Sequence, residues 1–216
     1  MKSDVIRKIE EEKIIAIVRG VNAENCLKTA KALYEGGVRL IEVTFNQKDK
    51  DSFAETAKAI NLMNKELEGK VLVGAGTVTS KELVEIAYQA GAKYIISPDT
   101  NEEVIKKTNE LGLVSIPGAL TPTEALTAHR YGADFVKLFP VGNLGTGYIK
   151  ALLAPLNHIK FLGVGGVNEK NVGEFLGAGV VGVGVGGNLA NKNWIENGEF
   201  YKITDTAKEF VKAIKG

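Results

Sequence analysis

Residues 133–140 read Ala-Asp-Phe-Val-Lys-Leu-Phe-Pro. This is a short apolar run halted by a proline, which lacks the N–H that a strand ladder needs. It reads as a β-strand over 135–139. Strand side chains alternate faces, so Phe135, Lys137 and Phe139 share one face. The same unit recurs along the chain, at 14–18, 38–44, 71–77, 94–97, 113–117, 159–164 and 180–185. Each run is β-branched or apolar and bounded by Gly, Pro, Asn or Asp. Helical spacing fills the gaps. Residues 23–35 present Leu27, Ala30, Leu33 and Tyr34, and residues 52–67 present Phe53, Ala57, Ile60 and Met63. Segment 80–90 opens on a Thr/Ser cap, and Thr121-Pro122-Thr123-Glu124 places proline at a first helical position. Gly36, Gly37, Gly91, Gly112, Gly132 and Gly179 fall where helices should end.

Eight strand-like runs alternating with helices in 216 residues predict an α/β protein, a (β/α)8 TIM barrel forming a single domain over 1–216. An extra N-terminal helix over 3–12 would close the barrel floor, and 204–215 reads as a final amphipathic helix. An open doubly wound sheet is the alternative. Eight near-equal units with no reversal of strand order weigh against it.

The charge balance narrows the function. Lys and Arg number 27 against 26 Asp and Glu, and no basic run stands out. Neither nucleic acid nor an anionic membrane is therefore expected as partner. The lone cysteine, Cys26, has no internal disulfide partner, which points to the cytoplasm. Residues 1–14 read as a charged amphipathic helix rather than a signal peptide. The longest apolar stretch, 176–190, is too short and glycine-rich to span a bilayer.

Barrel chemistry gathers at the carboxyl ends of the strands, and the polar residues collect there. In order, those ends carry Arg19-Gly20, Glu42 and Thr44, Gly74-Ala75-Gly76-Thr77, Ser97-Pro98, Pro117-Gly118, Lys137, Gly165-Gly166 and Gly186-Gly187. A lysine desolvated among aromatics offers more neutral amine for attack on a ketone. The bland reading is a lysine that snorkels from a strand end. Glu42 is a carboxylate on an interior strand face, which needs a partner or a task. It is either an ion-pair partner of Lys137 or Arg19 or a general acid/base beside the amine, and one resting pair would satisfy both readings. The two Gly-Gly pairs follow strands seven and eight, where barrels often bind phosphate. Arg19 adds charge to a phosphate or a substrate carboxylate, or only holds Glu42. His129 and His158 lack metal-ligand spacing, and no zinc, nucleophile-elbow or Walker motif is present.

These pieces in this order resemble the 2-keto-3-deoxy-6-phosphogluconate (KDPG) aldolases, which overlap with the 4-hydroxy-2-oxoglutarate (KHG) aldolases. The resemblance covers about residues 13–190. It rests on Gly-Gly-Val-Arg-Leu-Ile-Glu-Val-Thr (36–44), Val-Gly-Ala-Gly-Thr-Val (73–78), Ile-Ser-Pro (96–98), Pro-Gly-Ala-Leu-Thr-Pro-Thr-Glu (117–124), Val-Lys-Leu-Phe-Pro (136–140) and Gly-Gly-Val-Asn (165–168). It implies a class I aldolase on a homotrimeric barrel, with no cofactor and no metal. Lys137 would form the Schiff base and Glu42 would be the acid/base. Thr77 would contact the pyruvyl portion, with Arg19, Pro98, Phe139, Gly165, Gly166, Gly186 and Gly187 around the substrate. The reaction implied is cleavage of KDPG to pyruvate and D-glyceraldehyde 3-phosphate, or of 4-hydroxy-2-oxoglutarate to pyruvate and glyoxylate. Gluconate-type members often carry an arginine where this chain has Asn46, a threonine at Val164 and a serine at Gly187. Arg19-Gly20, Asn46 and Val164 look more like the sister 2-keto-3-deoxy-6-phosphogalactonate aldolases, which keeps that epimer open. A phosphate-binding epimerase or isomerase would want a second acid/base facing Glu42, or a metal site. A sugar-phosphate-sensing barrel without catalysis would not need both Glu42 and Lys137.

Overall fold

The computed structural model describes residues 1–216. Its strands are β1 (Ile14–Val18), β2 (Leu40–Thr44), β3 (Leu72–Gly76), β4 (Tyr94–Ile96), β5 (Val114–Ile116), β6 (Gly118–Ala119), β7 (Val136–Leu138), β8 (Phe161–Val164) and β9 (Gly182–Val185). All pair in parallel, in the order β5-β4-β3-β2-β1-β9-β8-β7-β6. The two ends of that order are one stretch of chain. Pro117 has no N–H and splits a single strand into β5, which pairs with β4, and β6, which pairs with β7. Pro117 still accepts from Lys137 N at 2.8 Å. The sheet is thus a closed (β/α)8 barrel, and the ninth strand absent from the sequence reading is the second half of the fifth.

The helices of the sequence reading form with small shifts at their ends. Helix α2 is Ala23–Glu35, and α3 is Phe53–Glu66. Helix α4 is Lys81–Gln89, capped by the Ser80 side chain on Leu83 N. Helix α6 (Pro122–Arg130) starts on a capping box: Thr121 accepts from Glu124 N, and the Glu124 carboxylate accepts from Thr121 N. Helix α10 runs Phe200–Lys215, four residues longer at its start than expected. Helices α5 (Glu102–Glu110), α7 (Gly145–Leu153) and α8 (Val172–Gly177) fill the remaining gaps between strands, and α9 (Lys192–Glu196) follows β9. No helix is long and apolar enough to cross a membrane.

Two apolar cores result. The larger lies between the outer face of the barrel and the helices. The smaller lies inside the barrel and contains Ile15, Leu40, Tyr94, Ile96, Val114, Ile116, Phe135 and Leu162. Helix α1 (Lys2–Glu12) inserts Val5 and Ile9 into that inner cluster, as expected of a floor plug. Lys2 Nζ anchors it to Asp134 at 2.8 Å, and Asp134 also accepts from Ser115 N at 2.8 Å. Cys26 is buried; burial, then the nearby Glu55, push its thiol up to about 12.

Candidate active site

The interior face of each strand alternates toward the mouth, so the layer above the inner core holds the polar groups. On β2, Leu40 faces the core and Glu42 sits one step higher; on β7, Lys137 follows Phe135 in the same way. Glu42 is 1% exposed and Lys137 7% exposed. Gly74, beside Glu42 in the β2–β3 register, leaves room for the Tyr94 ring: a Cβ there would lie 2.1 Å from it. Gly76 leaves room for the carboxylate itself, since its Cβ would lie 1.6 Å from Glu42 Oε1. The Gly-Ala-Gly of β3 is therefore a mould for two interior side chains.

Glu42 Oε1 is buried with no hydrogen-bond partner. Of the two readings open for Glu42, the ion pair with Lys137 or Arg19 is not formed: burial raises the Glu42 carboxyl above its ordinary range, and Lys137 and Arg19 oppose this only through space. Burial likewise lowers the Lys137 ammonium below its ordinary value; Glu42 pulls it back up, and Arg19 lowers it further. Lys137 does not snorkel to solvent. Its Nζ stays 5.0 Å from the Phe139 ring centroid, and that ring, 42% exposed, screens it at the mouth.

The other expected residues ring this pair. Arg19 directly follows β1, is exposed, and reaches Thr77 Oγ1 with Nη2 at 3.4 Å. It does not hold Glu42 by contact, so its charge is free for an anion. Thr77 follows β3 with φ +57°, a left-handed conformation costing a β-branched residue roughly 1–2 kcal/mol. Pro98 is exposed after β4, and its carbonyl packs on Gly118, whose Cβ would lie 2.3 Å from that oxygen. Gly165 and Gly166 have φ +94° and +76°, and Gly165 packs under Phe139, with a Cβ 3.3 Å from the ring. Gly186 and Gly187 are different. Neither has a left-handed φ, and a Cβ at either would meet nothing within 4 Å. The helices beyond both pairs begin only at Val172 and Lys192, so neither helix starts at its glycines.

Sequence reasoning missed two loop residues. Gln47 Nε2 donates to Thr77 O at 2.7 Å, and Thr79 Oγ1 donates to Gln47 Oε1 at 3.0 Å. Their partners lie about thirty residues away, and no local pattern encodes that contact. Asn46, standing where an arginine is common, turns back on its own loop and accepts from Lys48 N at 3.2 Å. His129 and His158 pack ring edge to face, with centroids 5.0 Å apart. No cluster of three or more His, Cys, Asp or Glu side chains is placed to hold a metal.

A buried amine and a buried, unpartnered carboxylate at the mouth of a (β/α)8 barrel can perform carbonyl addition with proton transfer, the chemistry of a lyase acting through an imine. The comparisons agree with that class. The family model for KDPG and KHG aldolase matches residues 5–206. A 2-dehydro-3-deoxy-6-phosphogalactonate aldolase of Escherichia coli is 34% identical over 177 residues, 82% of this chain and 83% of its own. The KHG/KDPG aldolase of the same organism is 30% identical over 204 residues, 94% of this chain and 92% of its own. Among solved structures, a KDPG aldolase from Legionella pneumophila, with pyruvate captured at low pH as a covalent carbinolamine intermediate, has a TM-score of 0.83 at 27% identity. The match covers 96% of this chain and 97% of that one. The chain belongs to the KDPG and KHG aldolase family.

Proposed function

We propose that this chain is a class I aldolase that cleaves KDPG to pyruvate and D-glyceraldehyde 3-phosphate through a Schiff base on Lys137. The observation that carries the proposal is the buried Lys137 amine facing the same mouth as the unpartnered Glu42 carboxyl. The carbinolamine of the Legionella relative supports it, because Lys137 is the buried amine at the mouth here.

Neutral Lys137 Nζ adds to the C2 carbonyl and gives a carbinolamine. The Glu42 carboxyl protonates its hydroxyl, water leaves, and an iminium and the Glu42 carboxylate remain. Glu42 takes the C4 hydroxyl proton, directly or through one water, and the C3–C4 electron pair flows into the iminium, giving an enamine. The aldehyde fragment leaves with its phosphate. Glu42 returns the proton to C3, and water hydrolyses the imine, releasing pyruvate and the free amine. Burial favours both required forms, an uncharged amine and a carboxyl able to hold a proton. Arg19 and Thr77 suit the substrate carboxylate, and the glycine loops Gly165-Gly166 and Gly186-Gly187 let a phosphate approach the backbone closely, without a helix start beneath it. The same imine chemistry would cleave 4-hydroxy-2-oxoglutarate to pyruvate and glyoxylate. Leu120, exposed just beyond β6, offers an apolar contact for neighbouring copies in a homotrimer. A single cysteine, Cys26, without an internal disulfide partner suits a cytoplasmic enzyme.

The test is intact-mass spectrometry after incubation with pyruvate and borohydride. A single pyruvyl adduct mapped to Lys137, absent from Lys137→Ala, is expected. An unmodified wild type would discard the mechanism.

A further inference from the structure

Thr77 has the least relaxed backbone of the residues around the amine, and both ends of the peptide that follows it are pinned. Its carbonyl accepts from Gln47 Nε2 at 2.7 Å, and the next N–H, of Val78, donates to Ile96 O at 3.2 Å. Together these two bonds set the peptide plane, and with it the direction of the Thr77 side chain. The orientation of the Gln47 amide is not free. Thr77 O can only accept, so Nε2 must face it, and Oε1 is then placed to accept from Thr79 Oγ1 at 3.0 Å.

Gln47 is itself held from both sides. On one side Phe45 is fully buried, packs edge-on to Phe53 with centroids 5.4 Å apart, and donates N–H to Gly76 O at 2.9 Å. On the other, Asn46 closes a turn by accepting from Lys48 N with Oδ1 and from Asp49 N with its carbonyl. The β2–α3 loop is therefore a bracket whose tip grips the end of β3. The bond to Arg19 sits on the opposite side of Thr77, on its hydroxyl.

The geometry points to Gln47 as a positioning residue that holds the Thr77 hydroxyl, and the Arg19 guanidinium bound to it, toward the carboxylate of a bound 2-keto acid. This rests on the aldolase reading above. Gln47 touches no reacting atom and acts through Thr77, so its loss should weaken the hold on pyruvate without removing the amine that captures it.

The experiment titrates pyruvate against the borohydride-trapped adduct in wild type, Gln47→Ala, Thr77→Ala, the double variant and Gln47→Glu, with melting temperatures alongside. Gln47→Ala should raise the half-saturating pyruvate concentration by about tenfold, the effect of one lost net hydrogen bond. The maximal adduct should stay unchanged. Gln47→Glu keeps the length but turns an acceptor toward an acceptor, so it should bind no better than Gln47→Ala. In the Thr77→Ala background, Gln47→Ala should add less than about a twofold loss, because the two residues act in series. An unchanged half-saturation with a lowered melting temperature would overturn the inference, as would losses that simply multiply. A wild type that traps no pyruvate at any concentration would instead remove the aldolase reading and this inference with it, an outcome distinguished by its independence of residue 47.

Discussion

Gly76→Ala tests the site through one methyl group. The added Cβ would stand 1.6 Å from Glu42 Oε1, 2.4 Å from Cδ and 2.6 Å from Cγ, whereas ordinary contact begins near 3.4 Å. The carboxylate must therefore retreat by about 1.8 Å at Oε1, and its neighbour Tyr94, fully buried, gives it little room. Gly76 has no left-handed φ, so the strain arises from contact alone. Overpacking of this kind costs about 1–3 kcal/mol of stability. A reacting group displaced by an ångström or more loses about a hundredfold in rate. The assay is pyruvate release from KDPG followed with lactate dehydrogenase, with borohydride trapping of pyruvate as control. We expect kcat to fall by about a hundredfold or more while Lys137 still traps pyruvate. Glu42→Asp in the same chain withdraws the carboxylate by about one C–C bond, roughly 1.5 Å, so the double variant should recover stability but not turnover. Gly76→Ala turning over within twofold of wild type would refute the placement of Glu42 in the reaction.

The rate should rise with pH as Lys137 loses its proton, with the limb below 10.5 because burial lowers this ammonium. Glu42 is the one neighbour raising it, so Glu42→Gln should move the limb of residual pyruvate trapping to lower pH, and a shift upward would contradict the coupling. The stability signs are opposite for the two groups. Between the folded value of Lys137 and 10.5 the unfolded chain holds more protons, so this group's contribution rises with pH across that window. The Glu42 penalty is absent below 4.5 and grows as pH climbs toward its raised folded value. Gly118→Ala would push a Cβ to 2.3 Å from the Pro98 carbonyl oxygen and 2.9 Å from that of Ser97, both backbone. It should cost about 1–3 kcal/mol, or roughly 2–4 °C of melting temperature per kcal/mol, by calorimetry. An unchanged melting temperature would show that the seam between β4 and β6 is slack.

The barrel was legible because its period is local. Short apolar runs, buried on both faces, wrote each strand into four to seven residues, and caps such as Ser80 and Thr121 wrote the helix starts. Lys137 and Glu42 stood out because a charge on an interior strand face conflicts with its neighbours. The break at Pro117 was harder to read: the chain continues beyond the proline in the same barrel wall, and only the changed pairing partner reveals a second strand. The missing ion pair was also illegible, because whether two side chains on separate strands meet depends on their placement in the folded barrel rather than on their spacing in sequence. Gln47 gave no signal at all, since a polar loop residue looks the same whether it meets water or a carbonyl. The glycines of the last two strands looked alike in sequence, yet only Gly165 and Gly166 use the conformational freedom that glycine provides.

The plug formed by Val5 and Ile9 gives the barrel the topology of a well rather than a tunnel. Below Lys137 lie Phe135 and the apolar floor, so traffic has one opening, past Phe139. On the proposed mechanism a small keto acid held on the amine would sit at the bottom of that well, and any second molecule would stack above it. Arrival and departure are then last-in, first-out: in condensation the acceptor enters over an occupied base, and in cleavage the upper fragment clears the opening before the lower one can leave.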